Sequence, residues 1–464
     1  PMSEPHTEST TAGLARFISD LRYERIPSEV ISHVKICILD TLGCALYGST
    51  LPWGKIVVQF VKECGEGRGA LIWGDGAEVP SPNAPLANGT LVHSFELDDI
   101  YRGGSLHTGA VTLPAVDALL SHVGQANGKD LLAAVVAGFE TGCRVGRANG
   151  ISQLRRGFHP TGTTGTFAAG AAAANLLRLD ALQTLQALGI AGTQGAGLMA
   201  AQEGSMVKRM HPGRAAQSGV YGALLAAKGF TGIENILEAP YGGFCSTLSD
   251  NAEIDLITKK LGEEYVSLNI GFKLYPCCAN NHTSLDGLKN IRTTHPGLKA
   301  DDVKKIVVST THSSKLHVGW PYVPDSVTTA QMNLSYCLAA ALIDREFSVG
   351  QVAEDSIDRK DILEVARRIE VVEDQELDNL GDKFRYAVKL EVMLRDGTCL
   401  KEKVFHAKGS EANPVGEAEL EEKFRLLASK ALEGPQVERL YQTVRHLERV
   451  EDVRILSTLL VPQG

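Results

Sequence analysis

A chain of 464 residues, 44% hydrophobic and 22% charged, is too long for one compact core and ordinary in composition, so two or three folded domains are expected and bulk disorder is excluded. Its formal net charge of −9 repels nucleic acid, and no long Lys/Arg run, zinc-finger or RNA-recognition signature offsets that charge. Nine cysteines are scattered without CxxC spacing, Cys277 and Cys278 being the only close pair, which reads as a reduced intracellular protein rather than a disulfide scaffold.

Residues 1–12 read as a loose polar tail without a hydrophobic signal core. The apolar stretches are broken by Gly, Thr or charge before a bilayer could be spanned, so no membrane role is expected and a cytoplasmic location is. From Thr11 the apolar residues recur at three- and four-residue intervals. Pro27 stands where a second helix can start, with Glu29 in its first turn. Residues 128–145 and 161–178 are so rich in Ala and Gly that they predict helices packed closely and buried on nearly every side. Further helices are expected at 180–198, 214–228 and 253–262, and the first half reads as all-helical.

Near residue 265 the pattern changes. VSLNIGFKLYP, KKIVVSTTHSSKL, RRIEVVEDQEL and YAVKLEVMLRDGTCLKEKVF alternate in the manner of strands, and Asp396 with Gly397 marks a hairpin turn. Helical patterns at 282–294, 329–345 and 355–368 interleave with them. The fold class expected is therefore mainly α with an α+β second domain. The helical domain takes residues 1–267 and 405–464, and the α+β domain residues 268–404. The charged helices at the end are expected to return onto the first domain, because two helices alone bury little.

Four separated segments concentrate His, Lys, Asp and Tyr beside Gly and Pro. The first, LVHSFELDDIYRGGSLHTGAVTLPA, holds His93, Glu96, Asp98, Asp99, Arg102 and His107. It reads as a solvated acidic loop or as an active-site loop in which carboxylates hold a histidine in one tautomer. The second, RRGFHPTGTTGTFAAG, sets His159 before a turn that opens an Ala-rich helix. That is a cap sequence, or a set of backbone donors suited to an anion. The third, GSMVKRMHPGRAAQSG, gathers Lys208, Arg209, His211 and Arg214 as a carboxylate-binding cluster or a solvated face. The histidine spacing matches no zinc or iron pattern. The fourth, FKLYPCCANNHTSLDG, places Tyr275, Cys277, Cys278 and His282 at a strand-to-helix junction. A buried structural thiol is the commoner reading there, because no group is evident that would orient a nucleophile. No GxGxxG follows a strand and no Walker sequence is present, so nucleotide cofactors are not supported.

In this order, ELDD…HTGA, GFHPTGTTG, KRMHPGRAA and YPCCANNHTSLDG resemble the MmgE/PrpD family over about residues 12–450. That family includes 2-methylcitrate dehydratase, cis-aconitate decarboxylase and iminodisuccinate epimerase. The resemblance implies a large helical domain built from both chain ends, with an inserted α+β domain similar to chorismate mutase. It also implies a homodimer, no metal or nucleotide cofactor, and a site in the cleft between the domains.

Residue by residue, the resemblance implies catalytic roles for His107, His159, Lys208, His282 and Tyr322. Glu96, Asp99, Arg209, His211 and Tyr275 become candidates for binding or orienting a small polycarboxylate. Glu96 stands where the decarboxylases have Asp, and one extra residue precedes His107. These departures make the chain look most like the epimerase branch, which acts by proton abstraction next to a carboxylate. His107 or His159 would serve as one proton carrier and Lys208 as the other. His282 and Tyr322 would bind carboxylates or relay protons, while Glu96 and Asp99 orient the neighbouring histidine. Decarboxylase and dehydratase chemistry are the alternatives within the family. A non-catalytic scaffold is the alternative outside it, and the retained basic residues speak against that.

Overall fold

Small residues decide the packing of the first half. In a computed structural model that describes residues 9–463 apart from residue 66, helices Gly128–Asn149 and Gly165–Leu176 lie against each other. Ala168, Ala169 and Ala171 to Ala174 there are fully buried. Helices Thr108–Ala118, Ala181–Gly192 and Val207–Ala227 complete the surround. Most of the loose tail expected over 1–12 lies outside the described residues. The chain enters helix Thr10–Asp20 with Ser9 accepting from the Ala12 amide.

A close crossing brings helix Ala84–Val92 onto Val207–Ala227. A Cβ built on Gly213 would stand 2.2 Å from the Leu86 carbonyl oxygen, and one on Gly89 would stand 2.6 Å from Gly213 Cα. Only glycine on both sides allows this approach.

Helix Ser28–Thr50 departs from the reading that no stretch could span a bilayer. Its 23 residues have the length and composition for it. Most of them are buried inside the molecule, however, between helix Ala84–Val92 and the C-terminal helix Glu417–Ala428. Lys423 on that last helix pairs with Asp40.

The α+β part carries a four-stranded sheet. Strand β1 (Val303–Thr310) runs parallel to β2 (Ile369–Glu373) and antiparallel to β3 (Val388–Leu394), which pairs with β4 (Cys399–Val404) across the Asp396 and Gly397 turn. The order is β2-β1-β3-β4. Gly397 takes φ 93° there, a backbone angle that glycine adopts without strain. Alternate residues Val303, Ile306, Val308, Val388, Leu390 and Val392 face a core shared with Leu285 and Leu288 of helix Ala279–Thr294 and Leu338 of helix Leu334–Asp344.

The protein is thus mainly α with an α+β portion. Several local expectations give way. VSLNIGFKLYP is not a long strand: only Ile270–Gly271 pairs, with Ile100–Tyr101. The amides of Val266 and Ser267 donate instead to the buried Glu140 carboxylate, 2.9 and 3.0 Å away. The first half is therefore not purely helical, since it also holds the ladder Ala70–Leu71 with Glu78–Val79. The helix expected over 329–345 is cut into Val327–Met332 and Leu334–Asp344, because the Asn333 side chain accepts from the Tyr336 amide and starts a new helix. The helix expected over 253–262 shrinks to Asp255–Thr258.

Candidate active site

Helix Ala84–Val92 runs into a short turn, His93–Phe95, after which Glu96 adopts φ 55° and ψ 36°. Such left-handed backbone is costly for a residue with a side chain. Ser105, in the Gly-rich loop before His107, does the same with φ 51°. Both line one cavity of about 60 Å³, together with His107, His159, Lys208, Lys273, His317 and Tyr386. Two of the five non-glycine residues with positive φ among the described residues thus border a single hollow, as expected where function holds the backbone in place.

Each element delivers one group. His107 is the N-cap of helix Thr108–Ala118, and His159 that of Pro160–Thr163. The His107 amide donates to Thr161 Oγ1 at 3.2 Å, which ties the two turns together. Lys208 stands in the first turn of Val207–Ala227. Four residues on, Pro212 lacks the N–H that would bond its carbonyl. Lys273 follows the Ile270–Gly271 ladder.

The contacts are dense. Glu96 Oε1 accepts from Lys208 Nζ, while its Oε2 accepts from Lys273 Nζ at 3.0 Å. Lys208 Nζ also lies 3.5 Å from His93 Nε2. Asp98 stands between two imidazoles, with His93 Nδ1 and His107 Nδ1 each 3.1 Å from Oδ2. The His107 contact lacks the alignment of a hydrogen bond. One ring nitrogen each of His93 and His107 and a carboxylate oxygen of Asp98 all fall within 4.8 Å of one another, a spacing that a metal ion could bridge. His159 Nδ1 meets His211 Nδ1 at 2.9 Å, so one ring donates and the other accepts, and the tautomers of the two rings are coupled.

Burial drives the electrostatics. It pushes His93 down to about 4, although Asp98 partly offsets it. Burial and then Lys208 push His211 down to about 4 and His159 well below the usual imidazole range. Those three rings are neutral near pH 7. Burial would raise Glu96 and Asp98, but Lys208 and Lys273 hold Glu96 far below the usual carboxylate range, and His107 with His93 does the same for Asp98. Burial would lower Lys273, and Glu96 more than offsets it, so the ammonium is held. The arrangement offers fixed cations and neutral imidazoles around one small cavity, which suits stabilising an anion that forms during a reaction.

His107, His159, Lys208 and Glu96 therefore meet. His282 does not line the cavity: it packs on Tyr275, with Nε2 3.4 Å from the Cys277 carbonyl, behind the wall that Lys273 and Cys278 form. Tyr275 turns to Asp286, donating at 2.8 Å. Tyr322 turns into the α+β core, donating to the Ile357 carbonyl at 2.8 Å beside Tyr336. Arg209 lies over Trp53, 4.4 Å from the ring, and bonds Ser94, Thr328 and Gln331. Asp99 does not orient a histidine: it accepts from Thr108 and the Gly109 amide, and the carboxylate facing the histidines is Asp98. The amides of Gly162 and Thr163 are taken by the His159 carbonyl, so that short helix start is not a free anion cradle.

Sequence reasoning passed over Lys273, His317 and Tyr386. Lys273 lies in FKLYPCC, where a lysine inside an apolar run is the available signal. His317 and Tyr386 lie outside the four segments, His317 after THSSKL and Tyr386 after DKFR.

Two family models match the chain: the MmgE/PrpD N-terminal domain over residues 12–257 and the MmgE/PrpD C-terminal domain over residues 275–449. The chain is 31% identical to a cis-aconitate decarboxylase-like protein of Aspergillus oryzae over 97% of both chains. It is 30% identical to a cis-aconitate decarboxylase of Aspergillus terreus, over 97% of this chain and 95% of that one. It is also 30% identical to the human cis-aconitate decarboxylase, over 98% of this chain and 95% of that one.

Proposed function

Since the chain belongs to the MmgE/PrpD family, we propose that it is a cofactor-independent acid–base enzyme forming a carbanion-like centre next to a carboxylate of a small polycarboxylate. The observation that carries this reading is the convergence of Lys208 and Lys273 with His107 and His159 on one small cavity. A carbanion beside a carboxylate adds charge to an anion, and preorganised ammonium groups in a water-poor site oppose that cost strongly.

The first form of the reading is a lyase acting on cis-aconitate or a near relative, supported by similarity to cis-aconitate decarboxylases over nearly the whole chain. The bond from carbon to its carboxylate breaks, and carbon dioxide leaves. The electron pair stays on carbon, delocalised toward a neighbouring carboxylate held by the lysines. Lys208 or His107 then returns a proton to carbon.

Glu96 favours a second form, epimerisation of a dicarboxylate such as iminodisuccinate. It stands where the decarboxylases have Asp, and its extra methylene moves the carboxylate that contacts both lysines, which reshapes the pocket. One group removes the proton from the stereocentre and another returns one to the opposite face. Dehydration is the remaining family chemistry. A homodimer is the assembly proposed with either activity, and its mass in solution tests it.

Incubation in deuterated water with each substrate separates these forms. Released carbon dioxide marks the lyase, exchange with inversion marks the epimerase, and absorbance from a new double bond marks dehydration. A panel of dicarboxylates and tricarboxylates showing none of the three would overturn the proposal. Lys208→Ala, with its fold checked by circular dichroism, is expected to lose about 10²–10³ in turnover. Near-normal turnover would remove Lys208 from the chemistry.

A further inference from the structure

The catalytic cavity, at about 60 Å³, has room for a few waters. Beside it lies a chamber of about 460 Å³, within the range of small-molecule sites. One wall comes from the helical side, with Arg102 and Arg147. The other comes from residues 382–412, with Lys383 and Arg385. Tyr386 lines both hollows. Arg385 links them as well: its Nη2 donates to the Arg102 carbonyl and, at 3.3 Å, to Ser105 Oγ, and Ser105 lines the inner cavity.

The charges in this chamber are unspent. The hydrogen bonds of Arg102 and Arg147 go to the carbonyls of Gly409 and Leu256, at 3.3 and 2.8 Å. Arg102 Nη2 and Arg147 Nε are buried with no partner. Among the described residues no carboxylate forms an ion pair with Arg102, Arg147 or Arg385. Two carboxylates share the lining, Asp382 and Glu411, but Asp382 is paired with Arg155 at 2.7 Å. Glu411 is the remaining acid and acts on Arg102 without reaching ion-pair distance; three guanidinium groups and Lys383 around one such carboxylate leave room for an anion with several oxygens.

We propose that this chamber is a second anion site, which binds a carboxylate of the incoming polycarboxylate before it reaches the lysines. The identity of the anion as substrate rests on the function proposed above; the site itself does not.

The test uses tricarballylate, a saturated tricarboxylate, titrated calorimetrically into the full chain. Wild type is expected to bind at two sites, and Lys208→Ala to keep the outer one. In that background Arg147→Gln or Lys383→Gln should weaken the remaining binding about 10-fold, as should added salt. Lys383 is exposed, so its variant keeps the test valid if Arg147→Gln folds poorly. In turnover Arg147→Gln should raise KM while kcat stays within about twofold. Outer-site binding that ignores both substitutions and salt would overturn the proposal. Absence of turnover on every substrate would instead strike the proposed function and leave the titration readable.

Discussion

At the scale of single residues, the site is a problem of burying charge. Glu96 sits in left-handed backbone, inaccessible to water, and holds two lysines at once. Such a network is tolerable only because each charge has a partner. The imidazoles take the other course and stay neutral. His93 and His211, pushed down to about 4 by burial, cannot take up a proton in the folded state where the unfolded chain can. Between about pH 6.5 and 4 the unfolded state therefore binds more protons, and stability falls as the pH falls through that window. Asp99, pushed up to about 8 by burial and by Asp40 and Asp98, acts oppositely: it is protonated when folded and not when unfolded, so its share declines as the pH rises from about 4 toward 8. His211→Asn is expected to flatten the thermal midpoint between pH 6.5 and 4, read by calorimetry across pH. An unchanged slope would mean that His211 charges freely in the folded protein.

At the scale of elements, the distance from Lys208 to Glu96 is a distance between helices. Lys208 rides on Val207–Ala227 and Glu96 follows Ala84–Val92, and the two cross at Gly213 over Leu86. Gly213→Ala would drive its methyl into the Leu86 carbonyl, and backbone does not yield as a side chain does. A loss of roughly 1–3 kcal/mol is expected, with reduced turnover because the ammonium withdraws from its carboxylate. Chemical denaturation and kinetics on the same sample would check both; wild-type values would mean the crossing has slack.

At the scale of the whole molecule, the C-terminal return holds the site from behind. Lys423, buried in helix Glu417–Ala428, donates to Asp40, to the Leu97 carbonyl at 2.6 Å and to the Lys273 carbonyl at 2.8 Å. One ammonium so joins helix Ser28–Thr50, the acidic loop and the segment carrying Lys273. Lys423→Met would leave Asp40 buried and unpaired, at a cost of about 3–5 kcal/mol. Adding Asp40→Asn should recover part of it, as an unfolding double-mutant cycle would show. If the single change were silent, the clamp would hold nothing.

Much of this was legible in one dimension. The spacing of apolar residues marked the helical first part and the alternating strands β1 to β4, because both signals are local and repeat within one element. His, Lys and carboxylates beside Gly and Pro marked the segments from which His107, His159, Lys208 and Glu96 come, since turns next to helix starts expose polar groups. The rest needed three dimensions. Asp98 rather than Asp99 faces the imidazoles because the turn after Glu96 aims one of two adjacent carboxylates inward and gives the other to a helix cap. VSLNIG yields its amides to Glu140, more than 120 residues away in the chain, and no local pattern announces that. Lys273, His317 and Tyr386 join the cavity only because a glycine crossing, a C-terminal clamp and the seam between the two parts bring distant segments to one point. Periodicity fixes which face an element buries; which elements then meet is settled by packing over long loops, where sequence neighbours carry no information.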